Sequence, residues 1–342
     1  MPRVDEVFNT KELINYFAER KTVQMLGESL FPERKIQDIE FEMILGKGGV
    51  PVSASVHALD TATQIASRQA IQKGAQELSL IKRQIPLREK DIIKIQSPRN
   101  DAELQFVLSQ LYNDAEDMKD SVRVRVEAMR MELLSTGKIK IEENSVKVTL
   151  DYGVPDTNLK TATWKAPDTD KPLDDIKILV KAVKAASGST STRALTSDTI
   201  VDTICNCTSV RKAIFGVNSD MIPTLDDLNN LMSRMKLPKF VTYDELYKIE
   251  TAKGYQTKRY YPENKITIFS SNNPGETIYG LTAEEVKMIG NNQMDEAAMV
   301  GNIFVGTYSK PDPVVEFTKA AATALPSCPH ADEIGILTIT LS

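Results

Sequence analysis

One long amphipathic stretch, from Ser97 to Thr136, constrains the fold of this chain more than any other feature. After Pro98 no glycine or proline interrupts it, and its apolar residues recur at steps of three or four, as on one helix face. They are Leu104, Leu108, Leu111, Ala115, Met118, Val122, Val126, Met129 and Leu133. Ser97-Pro98 predicts the helix start, and Gly137 predicts a left-handed cap at its end. Such a helix spans roughly 55–60 Å, which favours an elongated subunit over a globular enzyme.

Charged residues are sorted along this predicted helix. Residues 101–120 carry six acids and one base, whereas residues 121–140 carry five bases and two acids. Acids near the start of a helix and bases near its end complement the helix dipole. The sorting by itself therefore indicates helix stabilisation.

Composition excludes several classes of protein. The chain has 342 residues and a net charge of −5, so it can hold two domains and is not a general polyanion binder. Its three cysteines, Cys205, Cys207 and Cys328, predict no disulfide framework and favour synthesis in a reducing compartment. We expect neither secretion nor membrane spanning, because there is no apolar leader and no run of about 18 apolar residues.

The sequence around the long helix divides into five segments. Residues 1–50 are predicted to form an N-terminal arm and a first strand, and residues 51–95 an extended hairpin loop with little core of its own. Residues 96–190 hold the long helix, predicted at 97–136. Residues 191–309 alternate strands and helices as a mixed α/β block, and residues 310–342 form C-terminal strands that return to an earlier sheet.

Local patterns predict individual elements within these segments. A helix is expected over 172–187, because Pro172 opens an apolar stripe that Gly188 ends. Strands are expected at Thr257 to Tyr261 and Lys265 to Phe269, joined by a turn at Pro262-Glu263-Asn264. Residues 153–171 are rich in proline and aspartate and are predicted to be an irregular connection.

No constellation of residues predicts catalysis. The sequence offers no nucleophile with a base, no paired carboxylates in apolar surroundings and no metal-ligand spacing. Two histidines in 342 residues also disfavour acid–base catalysis and zinc binding. The glycine-rich stretch 46–51 lacks the spacing of a phosphate-binding loop, so a plain turn is favoured there. We therefore expect no catalytic, cofactor-binding or metal-binding residues, and no enzyme.

The order of elements resembles a known fold. The resemblance is carried by Leu30-Phe31-Pro32 before a strand at 36–45, Gln72-Lys73-Gly74-Ala75 leading to Leu80-Ile81-Lys82-Arg83 and Pro86-Leu87, the run from Tyr308 to Thr318, Pro326, and the strand after Asp332-Glu333. This order is similar to the major capsid protein fold of tailed double-stranded DNA phages, the Hong Kong 97-type fold. More specifically, the chain resembles the family of phage lambda head protein E. The implied fold class is α+β.

The resemblance implies a structural function without a cofactor. The 51–95 loop would reach over a neighbour, residues 96–190 and 310–342 would form a peripheral domain, and residues 191–309 an axial domain near the symmetry axes. The subunit would assemble as hexamers and pentamers into an icosahedral shell around a double-stranded DNA genome, which it would contact only non-specifically. Scaffold and portal proteins, and in some members a decoration protein, would be its partners. It would be made in the host bacterial cytoplasm and reside in the virion, with no membrane contact.

Two other functions stay open at this point. A nanocompartment shell protein of the same fold would enclose a cargo enzyme and need no scaffold or portal. An α/β enzyme with a phosphate loop at 46–51 would show nucleotide affinity or turnover as a monomer.

Opposite charges suggest one set of contacts between subunits. Residues 64–94 carry seven bases and three acids, whereas residues 101–120 are acidic. We hypothesise that bases of the loop pair with acids on the helix of a neighbouring subunit. The candidate residues are Lys82, Arg83, Arg88, Asp114, Glu116 and Asp117. Two independently solvated charged faces would explain the same pattern.

Overall fold

A computed structural model describes most of the chain. The described residues are 13, 16, 23–45, 72–89, 92–93, 100–143, 146–216, 221–251, 253–270, 273–290, 302–312 and 314–341. The glycine-rich stretch 46–51, most of the predicted extended loop and the predicted helix start at Ser97-Pro98 lie outside them.

The described helices and strands follow in chain order. The helices are α1 (Leu26–Leu30), α2 (Asp101–Thr136), α3 (Pro172–Ser187), α4 (Asp198–Asn206), α5 (Thr208–Phe215), α6 (Leu225–Arg234) and α7 (Ala283–Gly290). The strands are β1 (Glu33–Lys35), β2 (Glu40–Leu45), β3 (Gln72–Glu77), β4 (Ser79–Arg88), β5 (Lys138–Glu143), β6 (Val146–Asp151), β7 (Leu159–Trp164), β8 (Arg193–Thr196), β9 (Lys239–Thr242), β10 (Leu246–Thr251), β11 (Gly254–Arg259), β12 (Lys265–Phe269), β13 (Glu276–Gly280), β14 (Phe304–Pro311), β15 (Val314–Ser327) and β16 (Gly335–Leu341).

The predicted long helix is confirmed as α2, which begins four residues later than expected. Its first turn is capped by Asn100, whose Oδ1 accepts a hydrogen bond from the Glu103 amide at 2.8 Å. Gly137 ends the helix as predicted, with φ +70° and its amide donating to the Leu133 carbonyl at 2.8 Å.

The apolar stripe of α2 is buried along its length. Of the residues predicted to form it, eight have described side chains, and each is at most 8% exposed. These are Leu108, Leu111, Ala115, Met118, Val122, Val126, Met129 and Leu133. Phe106, off this stripe, is 68% exposed. One face of the helix is therefore core, as its period predicts.

The chain forms two compact units. The first comprises the described residues of Met1–Phe41, Gln76–Glu127 and Thr277–Pro326. The second comprises those of Glu42–Ala75, Ala128–Glu276 and Ser327–Ser342.

A sheet built around β15 is the centre of the first unit. β4 pairs antiparallel with β15, from Ser79 opposite Ala324 to Arg88 opposite Val315. β14 also pairs antiparallel with β15. β13 continues the sheet and pairs in parallel with β1. β15 has strand partners along both edges, and its small residues, which point alternately to the two faces of the sheet, are fully buried. Ala320, Ala321, Ala322 and Ala324 are each 0% exposed.

A mixed sheet in the order β7-β16-β12-β8-β9 is the centre of the second unit. One face packs on α3, α4, α5 and α6 in an apolar cluster that includes Ile176, Ile204, Leu228 and Ile266. The opposite face receives the end of α2, where Thr267 Oγ1 donates to the Leu134 carbonyl at 2.8 Å. A two-stranded hairpin of β5 and β6 follows α2.

The helix predicted over 172–187 is confirmed as α3, and Gly188 ends it with φ +76°. The strands predicted at 257–261 and 265–269 are present as β11 and β12, but they do not pair with each other. β11 pairs with β10, whereas β12 lies between β8 and β16. The predicted turn is present at Glu263 and Asn264, and it leads from the β10–β11 hairpin into the mixed sheet.

The stretch 153–171, predicted to be irregular, contains β7 at the edge of the second unit's sheet. This strand pairs in parallel with β16, from Leu159 opposite Ile336 to Trp164 opposite Leu341. Its partner is far away in sequence, so no local pattern indicated it.

The predicted segment boundaries stay a prediction. The compact units change inside α2, after Glu127, and inside β15, after Pro326, because these long elements contribute residues to both units. Residues 79–88 lie within the segment predicted as an extended hairpin loop, and they form β4, which pairs with β15 of the same chain.

Candidate assembly surfaces

The three predicted basic residues lie on β4. Lys82 is engaged within the chain, because its Nζ lies 3.3 Å from Glu284 Oε1, a carboxylate that also pairs with Lys319. Strand alternation places Lys82 and Arg88 on the exposed face and Arg83 on the half-buried one. Of the three, Arg88 is therefore the residue best placed to meet a second copy of the chain.

The three predicted acidic residues lie on the first half of α2. Glu116 is also engaged within the chain, since the Tyr16 hydroxyl donates to its Oε1 at 2.5 Å. Burial raises the pKa of Asp114, and the neighbouring Asp117 raises it further. Asp117 itself is exposed. Among the acids, Asp117 is the one whose carboxylate is most available to a partner.

A charged clamp between α2 and the segment before β1 was not predicted from the sequence. Arg123 donates to the Val23 carbonyl at 2.7 Å and pairs with Glu28 at 2.9 Å. One turn along the helix, Glu127 is 0% exposed and accepts a hydrogen bond from the Gly27 amide at 2.7 Å. The Gly27 amide lies in the first turn of α1, where the helix offers no carbonyl to accept its hydrogen bond. The Glu127 carboxylate accepts it instead.

A polar cleft of 580 Å³ lies beside this clamp. Gln24, Glu28, Ser29, Pro32, Glu33, Lys119, Arg123 and Ile303 line it. Burial lowers the pKa of Lys119, and the nearby Arg123 lowers it further. Arg123 and Glu28 line the cleft, and their hydrogen bonds fix the segment before β1 to α2. We therefore interpret the cleft as structural.

The cysteines carry no reactive thiol. All three are buried, and burial raises the pKa of Cys205 and Cys207 to about 11 and that of Cys328 to about 12. Thiols with such pKa values stay protonated near neutral pH and are poor nucleophiles. In the part of the chain that the structure describes, no three His, Cys, Asp or Glu side chains form a group able to hold a metal ion. Nor is any helix there long and apolar enough to cross a bilayer.

Comparison with known proteins identifies the family of this chain. A family model described as phage major capsid protein E matches residues 9–339. The chain belongs to this family. No curated protein matches the chain.

Solved structures match over nearly their whole length. The putative capsid protein of a prophage of E. coli CFT073 aligns with a TM-score of 0.65 at 14% identity, covering 97% of this chain and 99% of that one. A phage-related protein from Bordetella bronchiseptica RB50 aligns with a TM-score of 0.54 at 9% identity, covering 99% and 98%. At these identities the likeness concerns the fold, which is the α+β capsid fold of the Hong Kong 97 type.

Membership of the phage major capsid protein E family confirms the main sequence prediction. The chain is a structural, shell-forming capsid subunit that assembles with copies of itself, and it is a component of the virion. Its family and fold are those of capsid proteins, which are not enzymes. The same match favours a phage capsid over a nanocompartment shell.

Proposed function

We propose that this capsid protein E family member builds the icosahedral head of a tailed phage from hexamers and pentamers, around a double-stranded DNA genome. The observation that carries the proposal is the family match over residues 9–339. Scaffold and portal proteins would direct assembly, a decoration protein is a further candidate partner, and contact with packaged DNA would be non-specific. The subunit would be made in the host bacterial cytoplasm and would catalyse no reaction. Electron microscopy of the purified protein tests this proposal, with closed shells as the expected result.

We also propose the domain roles that the resemblance implies. Residues 191–309 would lie near the symmetry axes, residues 96–190 and 310–342 at the periphery, and the loop at 51–95 over a neighbour. Residues 191–276 belong to the second unit, where their strands β8, β9 and β12 share one sheet with β7 and β16 from the segments predicted to be peripheral. A reconstruction of an assembled shell would locate each segment directly.

Among the predicted charge pairs, we propose Arg88 on one subunit and Asp117 on its neighbour as the pair that contributes most. Arg88 and Asp117 are both exposed, whereas Lys82 and Glu116 have partners within the chain. We expect Arg88→Glu to weaken assembly, more so at low salt, because screening is least there. Exposed pairs are worth only about 0–1 kcal/mol each, so the effect depends on repetition over many interfaces.

The matched control for this pair is Lys181→Glu, which makes the same charge change at an exposed lysine of α3. Light scattering during assembly measures both variants at two salt concentrations. Adding Asp117→Lys to Arg88→Glu should recover part of the loss. The pairing is wrong if the double variant assembles no better than Arg88→Glu while both remain folded.

A further inference from the structure

The β5–β6 hairpin of the second unit sorts its side chains onto two faces. Its strands pair from Lys138 opposite Asp151 to Glu143 opposite Val146. Because successive side chains of a strand point to opposite faces, this register gives one apolar and one polar face. The apolar face carries Ile139, Ile141, Val146, Val148 and Leu150, with Glu143 at its outer end. The polar face carries Lys138, Lys140, Glu142, Lys147, Thr149 and Asp151.

The charges of the polar face are paired within the hairpin. Lys138 Nζ lies 2.7 Å from Asp151 Oδ2. The Glu142 carboxylate lies 3.1 Å from Lys140 Nζ and 3.3 Å from Lys147 Nζ. Residues 138–151 hold three bases and three acids, so the hairpin has no net charge. Binding of nucleic acid depends on basic residues that neutralise phosphates, and each of these lysines already has a carboxylate partner.

The apolar face is buried at its base and exposed towards its tip. Ile139 is 0% and Leu150 is 8% exposed, whereas Val148 is 43% and Val146 is 50% exposed. Ile141, which lies opposite Val148, is half-buried. At about 3.3 Å per residue, the two valines lie roughly 7–13 Å beyond the buried base. The outer half of this face is therefore open on a single subunit.

The base of the hairpin is tied to the end of α2. The Lys140 amide donates to Glu132 Oε1 at 3.0 Å, and the Tyr152 amide donates to the Gly137 carbonyl at 3.1 Å. No third strand joins β5 and β6 among the described residues. Because two-stranded ribbons are at best marginally stable in water, the outer half of the hairpin would gain stability from a further surface packed on its valines.

We propose that the apolar face of the β5–β6 hairpin packs against a neighbouring subunit. The chain assembles with copies of itself, so a second copy is the partner that each assembled subunit meets. Covering Ile141, Val146 and Val148 removes apolar surface from water, which favours association. The ion-paired polar face needs no such cover and stays in solvent. The inference rests on the assembly of this chain into a shell and adds a surface through which its subunits join.

Thiol protection tests the contact in the full-length protein. Val148→Cys places a thiol on the apolar face, and the matched control Thr149→Cys places one on the polar face of the same strand. The chain's own three cysteines are buried, so a maleimide reaches the introduced thiol first, and the unaltered protein gives the background. Labelling is measured below the protein concentration needed for assembly, and again in shells isolated by sedimentation.

In free subunits, both introduced thiols should react with the maleimide. In shells, the thiol of Val148→Cys should react at least about ten-fold more slowly because a neighbour excludes the reagent, whereas that of Thr149→Cys should react as before. Equal labelling of Val148→Cys in free subunits and in shells would refute the contact. Protection of this thiol already in free subunits would refute it too, since the chain itself would then cover the face.

A pair of valine substitutions measures what the face contributes. Val146→Thr with Val148→Thr keeps the β-branched shape that suits a strand and replaces one methyl group by a hydroxyl at each site. Assembly should then need about ten-fold more protein, at low and high salt alike, because the lost contact is apolar. The control is Val23→Thr with Val314→Thr, the same change at exposed valines outside the hairpin.

Sedimentation velocity measures the assembly of each variant, and thermal melting checks that each is folded. If the unaltered protein forms shells and the hairpin variant forms them at the same concentration, the contact is refuted. Failure of the unaltered protein to assemble would instead refute the proposed function, and this contact with it.

Discussion

Replacing Val122 by aspartate is expected to abolish folding of the first unit. Val122 lies in the middle of α2 and is 0% exposed, within the stripe of buried apolar residues. An unpaired carboxylate at such a position costs several kcal/mol. Since domains are typically stable by only about 5–15 kcal/mol, this change removes much of the total. Soluble yield and thermal unfolding measure the loss, and Met118→Asp at 6% exposure should behave similarly.

A matched control separates burial from charge. Asn113→Asp introduces the same carboxylate on the exposed side of the same helix and should change the unfolding free energy by less than about 0.5 kcal/mol. If Val122→Asp remains soluble, folded and assembly-competent, the stripe does not face a core and this account of α2 fails.

Replacing Gly27 by alanine should destabilise the protein by about 1–3 kcal/mol, because the new methyl group overpacks a filled site. A Cβ at Gly27 would lie 2.3 Å from Oε2 of Glu127 and 2.8 Å from its Cδ. The carboxylate cannot simply withdraw, since its Oε1 accepts the Gly27 amide at 2.7 Å and the side chain is fully buried. Denaturant unfolding measures the change.

A double-mutant cycle assigns this cost to the clamp. In a Glu127→Ala background the clash is gone, so Gly27→Ala should there cost less than about 0.5 kcal/mol. Ser29→Ala, an exposed change on the same short helix, serves as the control for altering α1. Equal costs of Gly27→Ala in both backgrounds would show that Glu127 is not the neighbour that excludes a side chain.

Periodic elements were predictable from the sequence. The apolar stripe of α2 repeats over nine positions, a helical period long enough to predict the helix without knowledge of its neighbours. Gly137 adopts the left-handed conformation that ends the helix. The start was placed four residues early because Ser97-Pro98 and Asn100 are both good helix-start signals. α3 was predicted for the same reasons.

Pairing between distant strands was not predictable. β12 pairs with β16, about seventy residues further along the chain, although β11 ends only six residues before it. β7 was missed because proline and aspartate around it are typical of loops, and its only described partner is β16. Strand order depends on such non-local contacts, which one sequence does not display.

Surface contacts were predicted only as sets of opposite charge. The sequence could not show that Lys82 pairs with Glu284, two hundred and two residues away, or that Tyr16 binds Glu116. The clamp joins Gly27 and Glu127 across one hundred residues and was equally hidden. The one signal available was a glycine near the start of a short helix, which is too common to single out.

Electron microscopy of the expressed and purified chain tests the central claim most directly. If this capsid protein E family member forms a shell from copies of itself, grids should show closed particles of uniform diameter, alone or with the proposed scaffold protein. Image averaging should reveal icosahedral symmetry, with hexamers and pentamers in the surface lattice. Compact monomers at high protein concentration, both with and without scaffold, would contradict the account.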